Sequence, residues 1–304
     1  MFQKGFILFN YFFESMVELY CSWCKDLPES KKALAILKDS NEFSGIELSN
    51  TDNQVDLVLD SGLKVSIHNP ARFHKVSVES QNFIEVLNEN PSILKSCKKA
   101  SLPFVSFHAG QQIYFSKFIS KDYLLSNTRK NLRFLDHELD KKIILEQLWL
   151  KYEYTQLFGL EKECALYSTS MDYLQNILES TNAGILLDVA HTLSSASSRI
   201  RSKQYQFDEK NYFMDVLNAV SKNIFQMHIN CPQYTKTEGF VDKHFPFESR
   251  GVVSKTVFDC TSEAIAVSPN LKAITLEIEP GLEPIKHAKL MIKQAKLVRK
   301  KLNF

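Results

Sequence analysis

Ala183-Gly184-Ile185-Leu186-Leu187-Asp188-Val189-Ala190-His191 is the stretch whose reading decides the fold. Its apolar run reads as a buried strand, and the aspartate that closes it needs a partner, which a turn would supply by placing His191 beside it. The same design recurs along the chain. Ile67-His68-Asn69-Pro70 and Phe107-His108-Ala109-Gly110 each end an apolar run in histidine, followed within two residues by a loop residue. Met227-His228 ends another, and Asp242-Lys243-His244 falls in the loop after it. Glu163 and Glu277 close two further runs, with Glu161 standing two residues before Glu163 as an alternative on the same strand face.

Working outward, apolar strand candidates lie at 5–11, 44–48, 63–68, 103–108, 160–164, 183–188, 224–229 and 273–278. Helical patterns separate them at 30–37, 80–87, 92–98, 131–157, 171–178, 209–221, 255–266 and 283–301. Strands alternating with helices predict an α/β protein, a single (β/α)8 TIM barrel over residues 1–304 with its site at the C-terminal ends of the strands. The connection at 110–159 is long for such a unit and predicts an extra helix or a lid.

Composition sets the frame for function. The chain of 304 residues is 44% hydrophobic and 24% charged, enough for one large core. A net charge of +2 neither implies nor excludes nucleic acid. No stretch is long enough to span a membrane, and the short apolar run at 5–11 reads as a buried strand, so the expected location is cytoplasmic. The six cysteines follow no disulfide rhythm and read as reduced thiols, Cys21 and Cys24 included. The lysine-rich C-terminus has apolar residues at helical period and reads as the solvated face of a last barrel helix.

Imidazole nitrogen mixed with carboxylate oxygen suits zinc, iron or manganese, whereas calcium and magnesium prefer oxygen almost alone. His68, His108, Glu163, Asp188, His191, His228, Asp242, His244 and Glu277 exceed what one tetrahedral ion needs. They predict two or three divalent ions close together, zinc first and iron or manganese as alternatives. His68 or His108 alone reads as an ordinary core or capping residue; their coincidence at strand ends is the signal. His74, His137 and His287 end no predicted strand and stay outside the site.

In this order the motifs resemble those of the endonuclease IV family, within the xylose-isomerase-like barrel superfamily, over residues 63–280. The loop from Ser106 to Gln111 also resembles that of UV-damage endonucleases. The resemblance implies a metal-dependent phosphodiester hydrolase acting on DNA with abasic sites. It implies a first ion on His68, His108 and Glu163, a second on Glu163, Asp188, His228 and Glu277, and a third on His191, Asp242 and His244. Glu163, Asp188 and Glu277 are then the expected catalytic carboxylates. Arg72, Phe73, Tyr114, Phe245, Phe247 and Arg250 form the aromatic and basic mouth that would grip a duplex. Two departures stand out: Ile229-Asn230-Cys231 where the family has Leu-Asn-Asp, and Phe245-Pro246-Phe247 where it has a glycine-rich loop. A second resemblance, to the multinuclear non-haem iron oxidative enzymes, implies oxidation of a cysteine in a precursor peptide, with a partner protein. Their Asp-x-x-Asn would stand here as Asp188-x-x-His191. A third, to sugar isomerases and epimerases, implies a single ion on Glu163, Asp188, His228 and Glu277 and no use for Asp242 and His244.

Overall fold

The structure is a computed structural model that describes residues 17–23, 31–49, 54–110, 120–279 and 281–303, the side chain of Phe73 excepted. The strands are β1 (Glu18–Trp23), β2 (Gly45–Leu48), β3 (Lys64–Ile67), β4 (Phe104–Ala109), β5 (Lys142–Gln147), β6 (Gly184–Asp188) and β7 (Ile224–Ile229). A hairpin of β8 (Cys231–Thr235) and β9 (Gly239–Phe245) then precedes β10 (Ala273–Leu276). All but the hairpin strands pair in parallel, in the order β3-β2-β1-β10-β7-β6-β5-β4. A parallel bridge from His68 to Ser106 joins the two ends of that order and closes the ring.

Side chains alternate across each strand, and the alternation sorts the core into two compartments. On β5, Ile143 and Leu145 pack outward against the helices, whereas Ile144 and Glu146 face the lumen. The same holds for Ile185 and Leu187 against Leu186 and Asp188 on β6. The lumen is therefore layered by sequence position. Tyr20, Phe104, Ile144, Leu186 and Ala273 fill its floor with apolar volume. One layer up stand Glu47, Ser66, Ser106, Gln226 and Thr275, all buried. At the carboxyl ends stand His68, His108, Glu146, Asp188, His228 and Glu277.

The seam between β3 and β4 has little backbone ladder. The Asn69 amide donates to the Ser106 carbonyl at 2.7 Å, and the Ser101 amide donates to the Val65 carbonyl at 2.7 Å. Side chains complete the pairing: the Ser101 hydroxyl accepts from the Val65 amide at 2.9 Å, and Ser106 Oγ meets His68 Nδ1 at 2.9 Å.

Three expectations change. The run at 160–164 is not a strand but part of the helix Gly159–Ser168. Leu160-Glu161-Lys162-Glu163-Cys164-Ala165 has no β-branched residue, and Cys164, Ala165 and Ser168 bury one helical face, so helix propensity prevails. The fifth barrel strand is instead β5, inside the stretch expected to be helical at 131–157. There Ile143-Ile144-Leu145 supplies a β-branched, fully buried run. The long connection at 110–159 thus contains the helix Lys121–Glu138 and a complete barrel strand. The expected strand at 5–11 lies outside the described residues, and β1 is the first strand described. Finally, Asp242 and His244 lie on β9 rather than in a loop.

That hairpin is held against the Ser- and Ala-rich helix Val189–Arg201. The Phe240 amide donates to Ser197 Oγ at 2.8 Å. Gly239 has φ of 72°, and a Cβ there would meet Ser197 Oγ at 2.4 Å, so only glycine allows the hairpin to approach this closely. Among the described residues no helix is long and apolar enough to cross a membrane.

Candidate metal centre

The site lies where the carboxyl ends of β3 to β7 and β10 converge, with β9 at its rim. His68 and His108 follow and end adjacent strands across the seam, and their Nε2 atoms approach to 2.8 Å. Both point at Glu146 Oε2, at 3.1 Å and 2.9 Å. Three ligand atoms so placed match the roughly 3.3 Å ligand spacing that bonds of about 2.0–2.1 Å impose around a tetrahedral ion.

The second carboxylate oxygen of Glu146 turns the other way. Glu146 Oε1 lies 3.1 Å from His191 Nδ1 and 3.6 Å from His228 Nδ1. His228 Nδ1 also meets Glu277 Oε2 at 3.1 Å, and with Asp188 these residues make a second group of converging ligand atoms. Asp188 is shared with the backbone: its Oδ1 accepts from the His191 amide at 2.7 Å and caps the helix that starts there. Its Oδ2 has no hydrogen-bond partner among the described residues, and neither has either oxygen of Glu146. A third group comes from the hairpin: Asp242 Oδ2 lies 3.5 Å from His191 Nε2 and 3.6 Å from His244 Nε2. His244 Nδ1 faces Glu277 and Glu279 at 3.7 Å and 3.9 Å.

The electrostatics follow from crowding buried charges. Burial alone would raise the Glu146 carboxyl, but His68, His108 and His191 outweigh it and hold it well below the usual carboxylate range. Burial prevails at Asp188, which rises to about 7 despite His191, and at His108, which falls to about 4 despite Glu146. At His228 the burial penalty is overcome by Glu47 and Glu277, and at His191 by Asp188 and Asp242; both imidazoles sit well above their ordinary value. Burial also opposes charge on His244, yet Glu277 and Asp242 lift it to about 10. Buried carboxylate oxygens without hydrogen bonds, ringed by imidazole nitrogens, fit divalent cations of the N/O-binding kind.

The structure brings His68, His108, Asp188, His191, His228, Asp242, His244 and Glu277 together. It does not bring in Glu163. That residue and Glu161 are on the helix Gly159–Ser168, away from the site, and the carboxylate among the histidines is Glu146. Ile144-Leu145-Glu146 repeats the apolar-run-then-acid signal of Leu276-Glu277, and embedding it in a helical reading hid it. The buried Glu47, one layer below the site, also went unread. Of the residues expected at the mouth, Arg72, Phe245 and Arg250 are exposed. Phe247 is only 4% exposed and stacks on Phe258 with ring centroids 4.7 Å apart, so it is a core residue rather than a substrate contact. Tyr114 and the side chain of Phe73 lie outside what the structure describes.

No protein-family model matches the sequence, and no curated protein does either. Solved structures match the fold. A xylose isomerase domain containing protein from Salmonella typhimurium LT2 superposes with a TM-score of 0.60 at 12% identity, over 93% of this chain and 97% of that one. An IolI protein with a bound zinc atom gives 0.57 at 16%, over 95% and 100%. Endonuclease IV from Thermus thermophilus gives 0.56 at 13%, over 94% and 99%. The chain thus shares the TIM-barrel fold of these proteins, and its barrel mouth carries buried and partly buried His, Glu and Asp clusters suited to metal binding.

Proposed function

We propose that the chain is a multinuclear metal-dependent phosphodiester hydrolase of the endonuclease IV type. The observation that carries this reading is the pair of ligand groups flanking the central one. A sugar isomerase or epimerase would need only Glu146, Asp188, His228 and Glu277, and would leave the buried His68, His108 and His191 and the partly buried Asp242 and His244 gathered there to no purpose. In the proposed enzyme His68, His108 and Glu146 would hold one ion, Glu146, Asp188, His228 and Glu277 a second, and His191, Asp242 and His244 a third. Such ions supply Lewis acidity toward a phosphoryl group and acidify bound water. Glu146 directs one oxygen to each side and so fixes the spacing of the first two groups. Burial raises Asp188 to about 7 without metal, so metal entry near neutral pH would have to displace a partly bound proton. Arg72, Arg250 and Phe245 are exposed and would contact a phosphate backbone and a displaced base.

A second reading, oxygen-dependent oxidation of a cysteine in a peptide by an iron cluster, is favoured by one observation. Phe247, expected to wedge into a duplex, is buried, which removes one of the groups that would expose a lesion. The test is elemental analysis of the purified protein, then a duplex carrying one abasic site assayed in parallel with thiol peptides under oxygen and ferrous iron. The expected result is two or three ions and incision 5′ to the lesion with zinc or manganese. Silence on DNA with an oxygen-dependent mass change on a peptide would overturn the hydrolase in favour of the oxidase. At most one ion would favour the isomerase.

A further inference from the structure

Each imidazole in the site has two nitrogens, and a ligand histidine that offers one to an ion is oriented by whatever holds the other. The described residues treat the histidines unequally. His68 turns Nε2 to the site and has Nδ1 on a neutral hydroxyl, Ser106 Oγ, at 2.9 Å. His108 likewise turns Nε2 inward, and its Nδ1 has no hydrogen-bond partner among the described residues. His228 is reversed. Its Nδ1 faces Glu146 and Glu277, and its Nε2 lies 2.8 Å from Oε1 of Glu47.

Glu47 is an unusual residue to find there. It stands on β2 inside the barrel, 1% exposed, one layer below the ligand atoms. Burying a carboxylate at such a depth is costly unless its oxygens are matched. Its Oε2 is matched, accepting from Gln226 Nε2, from Ser66 Oγ at 3.2 Å and from Thr275 Oγ1 at 3.4 Å. These donors come from three other strands and fix the carboxylate so that Oε1 is left for His228. Among the described residues, His228 is the cationic side chain that Glu47 meets at ion-pair distance; the groups on Oε2 are neutral hydroxyls and an amide.

We infer that Glu47 is a positioning residue that keeps His228 in the tautomer protonated at Nε2, so that the Nδ1 lone pair is presented to the ion held with Glu146, Asp188 and Glu277. Among the described histidines of the site whose outer nitrogen faces away from the ligand groups, His228 is the one with a carboxylate oxygen at ion-pair distance from that nitrogen. The extra negative charge makes its imidazole the stronger donor to that ion. This rests on the multinuclear reading above.

The test titrates metal-stripped protein with zinc against a chromophoric chelator, for the natural chain, Glu47→Gln and Glu47→Asp, with 15N spectra of the imidazoles of the zinc-loaded natural chain. The expected result is that Glu47→Gln weakens one ion about 10- to 100-fold and leaves the others within a factor of about three. Glu47→Asp, which keeps the charge, recovers part of the loss. The His228 resonances should show a protonated Nε2 and a zinc-shifted Nδ1. A merely structural role would lower the stability of the metal-free protein and leave the binding isotherm unchanged. Unchanged affinities, an equal loss at all ions, or zinc on Nε2 of His228 would each overturn the inference. If Glu47→Gln does not fold, the spectrum of the natural chain decides alone. Failure of the natural chain to take up more than one ion is a different outcome, and it sinks the multinuclear reading itself.

Discussion

The two flanking groups of the centre are built from different material. His68, His108 and Glu146 stand on or directly after barrel strands, are almost wholly buried, and their contact atoms lie within 3.1 Å of one another. In the third group Asp242 and His244 come from β9 of a hairpin outside the barrel ladder, with side chains 12% and 20% exposed, and their contacts stretch to 3.5–3.6 Å. A ligand set on a closed sheet is pre-organised, whereas one on a two-stranded hairpin depends on how firmly that hairpin is docked. The barrel group is therefore the fixed half of the centre and the hairpin group its adjustable half.

The sharpest way to break this comparison is at the residue that joins the halves. Glu146→Gln should lower turnover by roughly 1000-fold or more, about 4 kcal/mol of lost transition-state stabilisation, with the circular-dichroism spectrum unchanged. Glu163→Gln, on a helix away from the site, should leave the rate within a factor of about two. Comparable losses from both would mean that Glu146 does not hold the centre together.

Phe247 tests how the hairpin is anchored. It follows β9, stacks on Phe258, and its amide donates to Gln294 Oε1 at 2.8 Å. Phe247→Ala should cost about 3–5 kcal/mol in chemical denaturation, in the range for a large buried aromatic, whereas the half-exposed Phe245→Ala should cost under about 1 kcal/mol. Equal costs would show that the hairpin does not lean on this contact.

His244→Asn should release one ion, measured by elemental analysis after dialysis, and leave the other two bound. His68→Asn should leave the hairpin ion in place. Loss of every ion from His244→Asn would contradict an adjustable half that is independent of the fixed one.

The smallest effect is in pH, and the halves should respond in opposite directions. His244, lifted by Glu277 and Asp242 to about 10, stabilises the metal-free fold fully below its unfolded value of about 6.5, and that contribution is lost as pH rises toward 10. His108, lowered by burial to about 4, favours the fold above about 6.5 and loses that contribution as pH falls toward 4. Thermal unfolding of metal-free protein across this range should therefore decline on both sides. With zinc bound, the alkaline decline should shrink because His244 is held by the ion rather than by its proton. An alkaline decline unchanged by zinc would remove His244 from the ligands.

Much of this was legible in the sequence because a strand that runs from a barrel floor to its mouth ends where its sequence turns from apolar to ionisable. Ile67-His68, Phe107-His108, Leu187-Asp188 and Leu276-Glu277 all show that turn, and all fall at strand ends. Glu146 shows it too, but β5 follows the helix Lys121–Glu138 after only three residues, and Leu145, Leu148 and Leu150 prolong a helix-like apolar spacing across the break. Glu161-Lys162-Glu163 was misleading for the converse reason: a charged stretch between Leu160 and Cys164 can pass for alternation over five residues, too short a window to separate period 2 from period 3.6. Glu47 left no trace because an acid in the middle of Ile46-Glu47-Leu48 is read as a solvent-facing strand position unless the sheet is known to close on itself.

The seam where the ring closes has its own consequence. β3 and β4 are joined by few backbone bonds, and the two histidines of the fixed half sit on opposite sides of that join. An ion held between them would act as a rivet across that join. Metal-stripped protein should then exchange the amides of Asn69 and Ser101 with deuterated solvent faster than those of the β6–β7 pair, and zinc should erase the difference. The cofactor of the reaction would at the same time be the clasp of the barrel.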